Sequence, residues 1–510
     1  MKKRINSILV FVLVFLIVSC ENNFDEINTN TVDPTSDSVD PVYLLNNAII
    51  YCSSQQVQII FDLGTVQQVV SPNSGTLSGG NFNQENPEES QVYWNVFYEG
   101  VIKNTADIIT QLEEEDALER PNLLNMAKLI QSYAFMVLTD EYGDVPYSEA
   151  GKGISEQIVL PKYDAQETIY KDLINVVSAA TASLSNSATP EPGEVLYSGD
   201  IDQWKRMGNS LLLRLGMRLT EVDLALAEQT VQTAFAGGVM QNRDDSFIVR
   251  HDNNYYNDVG DVLNGSEANN YYLVDSFVDY LSSTNDPRLS ALSIRFVGAS
   301  SGPEQVRELG SKLAEDQIGM PMGNDNLSIG QVASDLGLVS FYDFSQIDRF
   351  LVAKQSAPNF IITYSQTQLL LAEAAVRGWV SGDAAVYFET GVRAHMESMV
   401  LYDPALEIPT AEIDDYFVAN PFDVSNALEQ INTQYWVSCF LNGPEAFANF
   451  RRSGFPTLTP NPYSSQDISS DFINRLNYPT SEVATNNKNL SEAVSRMGPD
   501  KMDTKVWWDQ

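Results

Sequence analysis

The chain has 510 residues, 43% of them hydrophobic and 10% aromatic, enough to fill a large core. Acids outnumber bases 68 to 30, and a formal net charge of −38 argues against a nucleic-acid partner and against attachment to anionic lipid through a basic face. His251 and His395 are the only histidines, which removes most metal and acid–base machinery built on imidazole.

The N-terminus reads as an export signal. Lys2, Lys3 and Arg4 precede an apolar run from Ile8 to Val18. That run is shorter than the ~20 residues a membrane-spanning helix needs, and it has the size of a secretory apolar region. It closes on Ile17-Val18-Ser19-Cys20, which resembles a bacterial lipobox. The resemblance implies cleavage before Cys20 and acylation of that residue, since two or more acyl chains anchor firmly where one does not. Residues 1–19 are then a lipoprotein signal peptide, 20–45 a lipidated polar tether, and 46–510 a single domain. Of the other cysteines, Cys52 and Cys439 lack a CxxC partner. A disulfide between them is open, and two free buried thiols are the expected state.

Beyond the tether, apolar residues recur at helical spacing. Trp94, Phe97, Val101, Ile108 and Leu112 form one stripe, and Leu123, Ala127, Ile130, Ala134 and Val137 a second. Ile169, Leu173, Val176, Ala180 and Leu184 form a third, and Trp204, Met207, Leu211, Leu215 and Leu219 a fourth. Further on, Thr367, Leu370, Leu371, Ala374 and Ala375 precede Gly378 and Gly382, then Ala384, Phe388, Gly391 and Val392. Paired helices with small residues at the crossings predict stacked hairpins of TPR type. Four stretches read as long loops: 70–90, 240–275, 298–345 and 455–490. Loops of this length in a compact domain are functional or disordered, and interleaved aromatics and amides argue against disorder.

A series of phrases carries a family resemblance. These are Glu141-Tyr142-Gly143-Asp144-Val145-Pro146-Tyr147, Pro161-Lys162-Tyr163-Asp164, Asp202-Gln203-Trp204-Lys205-Arg206, Asn209 through Leu219, Asp286-Pro287-Arg288-Leu289, Ala372-Glu373-Ala374-Ala375, Asn442-Gly443-Pro444-Glu445-Ala446 with Arg451-Arg452-Ser453-Gly454, and Lys505-Val506-Trp507-Trp508. In this order, and with the lipobox, they resemble the SusD/RagB outer-membrane lipoproteins over nearly the whole chain. The resemblance implies an all-α fold with few short strands, in which four TPR-like helix pairs support a loop-rich ligand face. It implies a place on the outer membrane, facing the exterior, as partner to a SusC-like TonB-dependent transporter. The implied work is binding an oligosaccharide, or a peptide, and handing it inward without covalent chemistry or a cofactor. The phrases themselves read as scaffold. Gly143 and Pro146 end a helix, and Arg214 and Arg218, four apart on one face, pair with carboxylates of a neighbour.

Gly298-Ala299-Ser300-Ser301-Gly302 fits GxSxG, and His395 could formally serve as its base. The chain lacks the alternating strands that motif requires, so a surface hydrolase stands as the alternative, beside a structural or adhesion lipoprotein. Asn324-Asp325-Asn326 lacks the glycine and distal glutamate of a calcium loop, and no metal is expected. For ligand contact, the tyrosine–amide segments stand out: Tyr255 and Tyr256 with Asn253, and Tyr271 and Tyr272 with Asn270. A flat ring covers the C–H face of a sugar while amides bond its hydroxyls. Adjacent tyrosines on an extended strand point opposite ways, so one ring of each pair is expected to face solvent or ligand. Gly260 and Gly265 are expected to let the chain fold back between the pairs.

Overall fold

The computed structural model describes residues 39–510 apart from 54, 115–118 and 154; the signal segment, Cys20 and nearly all of the tether lie outside them. The first helix, α1 (Pro41–Tyr51), starts where sequence favours it: the Asp40 side chain accepts the Val42 N–H, and Pro41 fills the first turn. Val42 and Leu45 are buried, so residues 41–45 pack as helix and do not extend the tether.

Strand β1 (Val69–Val70) follows. A helical run from Val92 passes through a π-turn at Phe97–Ile102 into α2 (Lys103–Glu114). The whole first stripe is buried, and Thr105 fills the gap in it, donating its hydroxyl to the Val101 carbonyl at 2.8 Å. Next comes α3 (Pro121–Tyr142), buried along almost its full length. It ends as expected at Gly143, whose φ of 85° suits glycine and whose N–H bonds the Thr139 carbonyl at 2.8 Å. Strands β2 (Val145–Pro146) and β3 (Tyr163–Asp164) pair antiparallel across the turn. Then α4 (Gln166–Ser183), α5 (Ile201–Arg218) and α6 (Leu224–Gly237) pack each on the one before. On α4 the core position belongs to Val177, while Val176 is half-buried, a shift of one residue from the expected stripe. Later, α7 (Tyr364–Val376), α8 (Ala384–Ser398), α9 (Ala427–Ser438) and α10 (Gly443–Ser453) complete the scaffold. A capping box of Thr363 and Gln366 opens α7. Packing of α2 on α3, α4 on α5 and α7 on α8 gives the TPR-like pairs, and one apolar cluster runs through them from Val42 to Trp508.

Buried ions clamp these helices together. Arg218 of α5 bonds Asp140 of α3 at 3.2 Å and Glu445 of α10 at 2.7 Å, and Arg214 lies 3.3 Å from Glu445. Arg452 of α10 meets Glu373 of α7 at 2.8 Å, both side chains 1% exposed. The family phrases thus supply the frame, as their spacing suggested. Removing one partner of such a pair leaves a buried charge uncompensated, at a cost of about 3–5 kcal/mol.

The remaining strands anchor the loops. All pairings are antiparallel: β1 with β5 (Tyr272–Leu273), β4 (Phe247–Val249) with β8 (Asn359–Ile362), and β6 (Ser293–Ile294) with β7 (Gln346–Ile347). The stretch 298–345, expected to be loop, contains a helix at Ser328–Asp335. It also has a small core of its own, in which Met320, Met322, Ile329, Ala333, Leu338 and Phe344 gather round Val70, Tyr272 and Val274. Cys52 and Cys439 are free, and burial pushes both thiols up. Among the described residues no helix is long and apolar enough to cross a membrane.

Candidate functional site

Long loops carry backbone donors and acceptors that no helix or sheet satisfies, so something must bond them. Asparagine does this here, because its amide both donates and accepts. The Asn81 side chain donates to the carbonyls of Ser71 at 2.7 Å and Asn324 at 3.0 Å, and accepts the Gly323 N–H at 2.9 Å. Asn461 donates to the carbonyls of Gly80 and Asn81 at 3.1 and 2.7 Å. Asn73 donates to Asn270 at 2.7 Å, and Asn83 to Gln466 at 2.7 Å. Four segments, 71–86, 267–272, 318–326 and 459–467, are thereby tied into one surface around Asn81.

The two tyrosine segments meet opposite fates. Tyr255 and Tyr256 are 56% and 49% exposed, and Asn253 beside them is exposed. Their turn is closed by the Asp252 carboxylate, which accepts the N–H groups of Asn254 and Tyr255; those bonds hold its carboxyl below the usual range. His251 braces the turn, one ring nitrogen on the Tyr255 carbonyl and the other on Asn359. Tyr271 and Tyr272, by contrast, are 2% and 0% exposed. The expectation that one ring of each pair faces outward therefore fails for this pair. Alternation holds, but both sides are covered: Tyr271, just before β5, enters the main core with Leu273, and Tyr272 the satellite core. Asn270 is likewise occupied, accepting from Asn73 and donating to Glu267. Gly260 is no hinge. It lies within the helix Asp258–Asn264, where an added Cβ would come 2.4 Å from the Lys354 carbonyl oxygen, so it permits close packing. Asn257 caps that helix and is buried.

A second aromatic feature escaped the sequence reading. Phe82 and Tyr463 stack with centroids 3.7 Å apart and planes within 2°. They lie far apart in sequence, one in each of two segments tied through Asn81 and Asn461. The available signal was local: Asn81-Phe82-Asn83 and Asn461-Pro462-Tyr463 interleave amide and aromatic as the 253–258 segment does.

The groups weighed for catalysis are engaged elsewhere. The Ser300 hydroxyl donates to Glu304, 3.0 Å away. His395 is buried against Arg288 at 2.9 Å, and burial together with that guanidinium's charge holds its pKa well below the usual histidine range. Among the described residues no group of three or more His, Cys, Asp or Glu could hold a metal ion. A cleft of about 610 Å³ lies away from the loops, between α2, α3 and the 147–156 turn. Its polar walls are spoken for, with Lys152 on Glu156 at 3.1 Å and Tyr147 on Asp172 at 2.6 Å. Among the described residues, Ser300 and His395 thus form no pair with each other.

Comparison with known proteins agrees with this geometry. A family model described as SusD-like, starch-binding and associating with the outer membrane, matches residues 33–479. A solved chitin-binding protein is 32% identical, with a TM-score of 0.81, the match covering 92% of this chain and 100% of that one. A SusD-like protein of Bacteroidetes AC2a is 24% identical, with a TM-score of 0.81 and coverage of 92% and 100%. A chitin-binding SusD homolog from Flavobacterium johnsoniae is 22% identical, with a TM-score of 0.74 and coverage of 92% and 98%. These last two bear on the fold alone. No curated protein matches the chain.

Proposed function

This chain belongs to the SusD-like family, and we propose that it captures an oligosaccharide at the outer membrane and delivers it to a SusC-like TonB-dependent transporter. Binding without covalent chemistry fits a chain whose Ser300, His251 and His395 are committed to other partners. The observation that carries the reading is the match over 92% of this chain, at 32% identity, to a chitin-binding protein. It points to β-linked N-acetylglucosamine chains as the first ligand to try. Outside the four tied segments, Tyr255, Tyr256 and Asn253 are the ligand contacts we propose, because their side chains are exposed. Anchoring through acylated Cys20, facing the exterior, completes the proposal and rests on the lipobox-like sequence.

Calorimetry of the detergent-purified full chain is the test. Chitohexaose is expected to bind, with maltoheptaose, cellohexaose and a mixed tripeptide library as comparisons. The glycans should be recovered intact by mass spectrometry after prolonged incubation. Binding of peptides alone would overturn the oligosaccharide reading, and shortened glycans would overturn the non-enzymatic one.

A further inference from the structure

On the loop surface, the half-buried Tyr463 combines a backed ring with an unengaged hydroxyl. Its inner face lies flat on Phe82, whose side chain is 7% exposed, so Phe82 is the buried base of the stack and Tyr463 its half-buried outer plate. The backbone under the ring is fixed from several sides. The Tyr463 N–H donates to the Asn461 side chain at 3.0 Å, and its carbonyl accepts from Gln466 at 2.7 Å. Gly323 approaches so closely that an added Cβ would sit 3.2 Å from the Tyr463 nitrogen. No described residue hydrogen-bonds the Tyr463 hydroxyl. A ring held parallel to a buried ring, with its edge hydroxyl free, has few ways to turn and is ordered before anything binds.

The chemistry around it narrows the ligand. Ser464 and Ser465, next to Tyr463 in the chain, are exposed, and Glu85 and Asp467 stand exposed on the two loops that meet here, with the Asp467 carboxylate accepting the Glu85 N–H at 2.9 Å. A flat plate fits a flat C–H face, which a pyranose presents when its ring substituents are equatorial. Two carboxylates nearby disfavour an anionic sugar through like-charge repulsion.

We propose that Tyr463, backed by Phe82, is a stacking platform for a neutral β-linked hexopyranose or N-acetylhexosamine, and that uronic-acid chains are rejected there. The platform rests on the oligosaccharide reading above and extends it to a residue and a sugar class.

Three variants of the full chain test it: Tyr463→Ala, Tyr463→Leu, and Tyr463→Trp. Leucine keeps an apolar cover on Phe82 without an aromatic face, so it separates stacking from folding. Against chitohexaose and cellohexaose, Tyr463→Ala and Tyr463→Leu should weaken Kd at least tenfold while the melting temperature of Tyr463→Leu stays close to the parent's. Tyr463→Trp should bind within about threefold of the parent, because stacking tolerates a larger ring. Oligogalacturonate should not bind the parent. If the parent binds a neutral glycan and Tyr463→Leu binds it equally well, the platform is wrong and the functional reading stands. If the parent binds none of the glycans, the functional reading fails and takes the platform with it. Tight oligogalacturonate binding that Tyr463→Leu abolishes would overturn the sugar class alone.

Discussion

Asn253-Asn254-Tyr255-Tyr256 and Asn269-Asn270-Tyr271-Tyr272 are the same four residue types in the same order, yet the first pair of rings is half exposed and the second wholly interior. Nothing within either segment decides this. The first closes a turn on Asp252 at the surface, whereas the second enters β5, which has a core on each side. Exposure is set by what the rest of the chain lays over a segment. Alternation along a strand predicts which way a ring points and is silent on whether anything waits there.

The largest expected effect breaks the interior member. Tyr272→Ala should destabilise the protein by about 3–5 kcal/mol, as loss of a buried aromatic does, read as a lower midpoint in urea. A change under about 1 kcal/mol would mean the satellite core contributes little.

Carboxylates sharpen the same contrast. Asp252, exposed and bonded by N–H groups, is held low, whereas burial pushes the Asp62 carboxyl up to about 7, the Tyr93 hydroxyl and the Arg451 charge offsetting only part of it. A raised carboxyl is protonated in the fold, so its contribution to stability is full below the ordinary value of 3.8 and is lost as pH rises towards about 7. Glu141, also pushed up by burial and by Asp62, adds to that slope. Glu373, held at about 2 by Arg452 and Arg377 despite its burial, titrates below this window. Asp62→Asn should therefore flatten the fall in stability between about pH 4 and 7, a difference on the order of 4 kcal/mol read by thermal melts across pH. Parallel pH profiles for parent and variant would refute the assignment.

The smallest effect belongs to the exposed pair. Tyr255→Ala and Tyr256→Ala should each shift stability by no more than about 0.5 kcal/mol. If these rings meet the ligand, one of them should cost about 1–3 kcal/mol of affinity. Unchanged affinity in both would leave the ligand to other parts of the loop surface.

Much of the scaffold was legible. The stripe Trp204, Met207, Leu211, Leu215 and Leu219 is buried throughout, and Arg214 and Arg218 find the carboxylates their spacing called for. Helical periodicity survives translation because each residue's facing follows from its neighbours. It blurred by one residue at Val176 and Val177, both apolar, where composition could not choose between them. The loop surface was legible only as a location. Asn270, expected to meet a ligand, instead bonds Asn73 and Glu267, and Asn81, Asn83 and Asn461 likewise tie loops together. The Phe82–Tyr463 stack joins two segments whose amide–aromatic interleaving is visible locally, but nothing in either segment tells that the two rings meet.

The amide ties around Asn81 also bear on how the surface would respond to a ligand. Ordering a free loop costs about 1–2 kcal/mol per residue in backbone entropy, a penalty that would fall on every binding event if the loops were loose. Here Asn81, Asn83 and Asn461, all buried, meet that cost when the chain folds. A ligand arriving at this surface would have only itself and its water to reorganise, so affinity could come from few contacts.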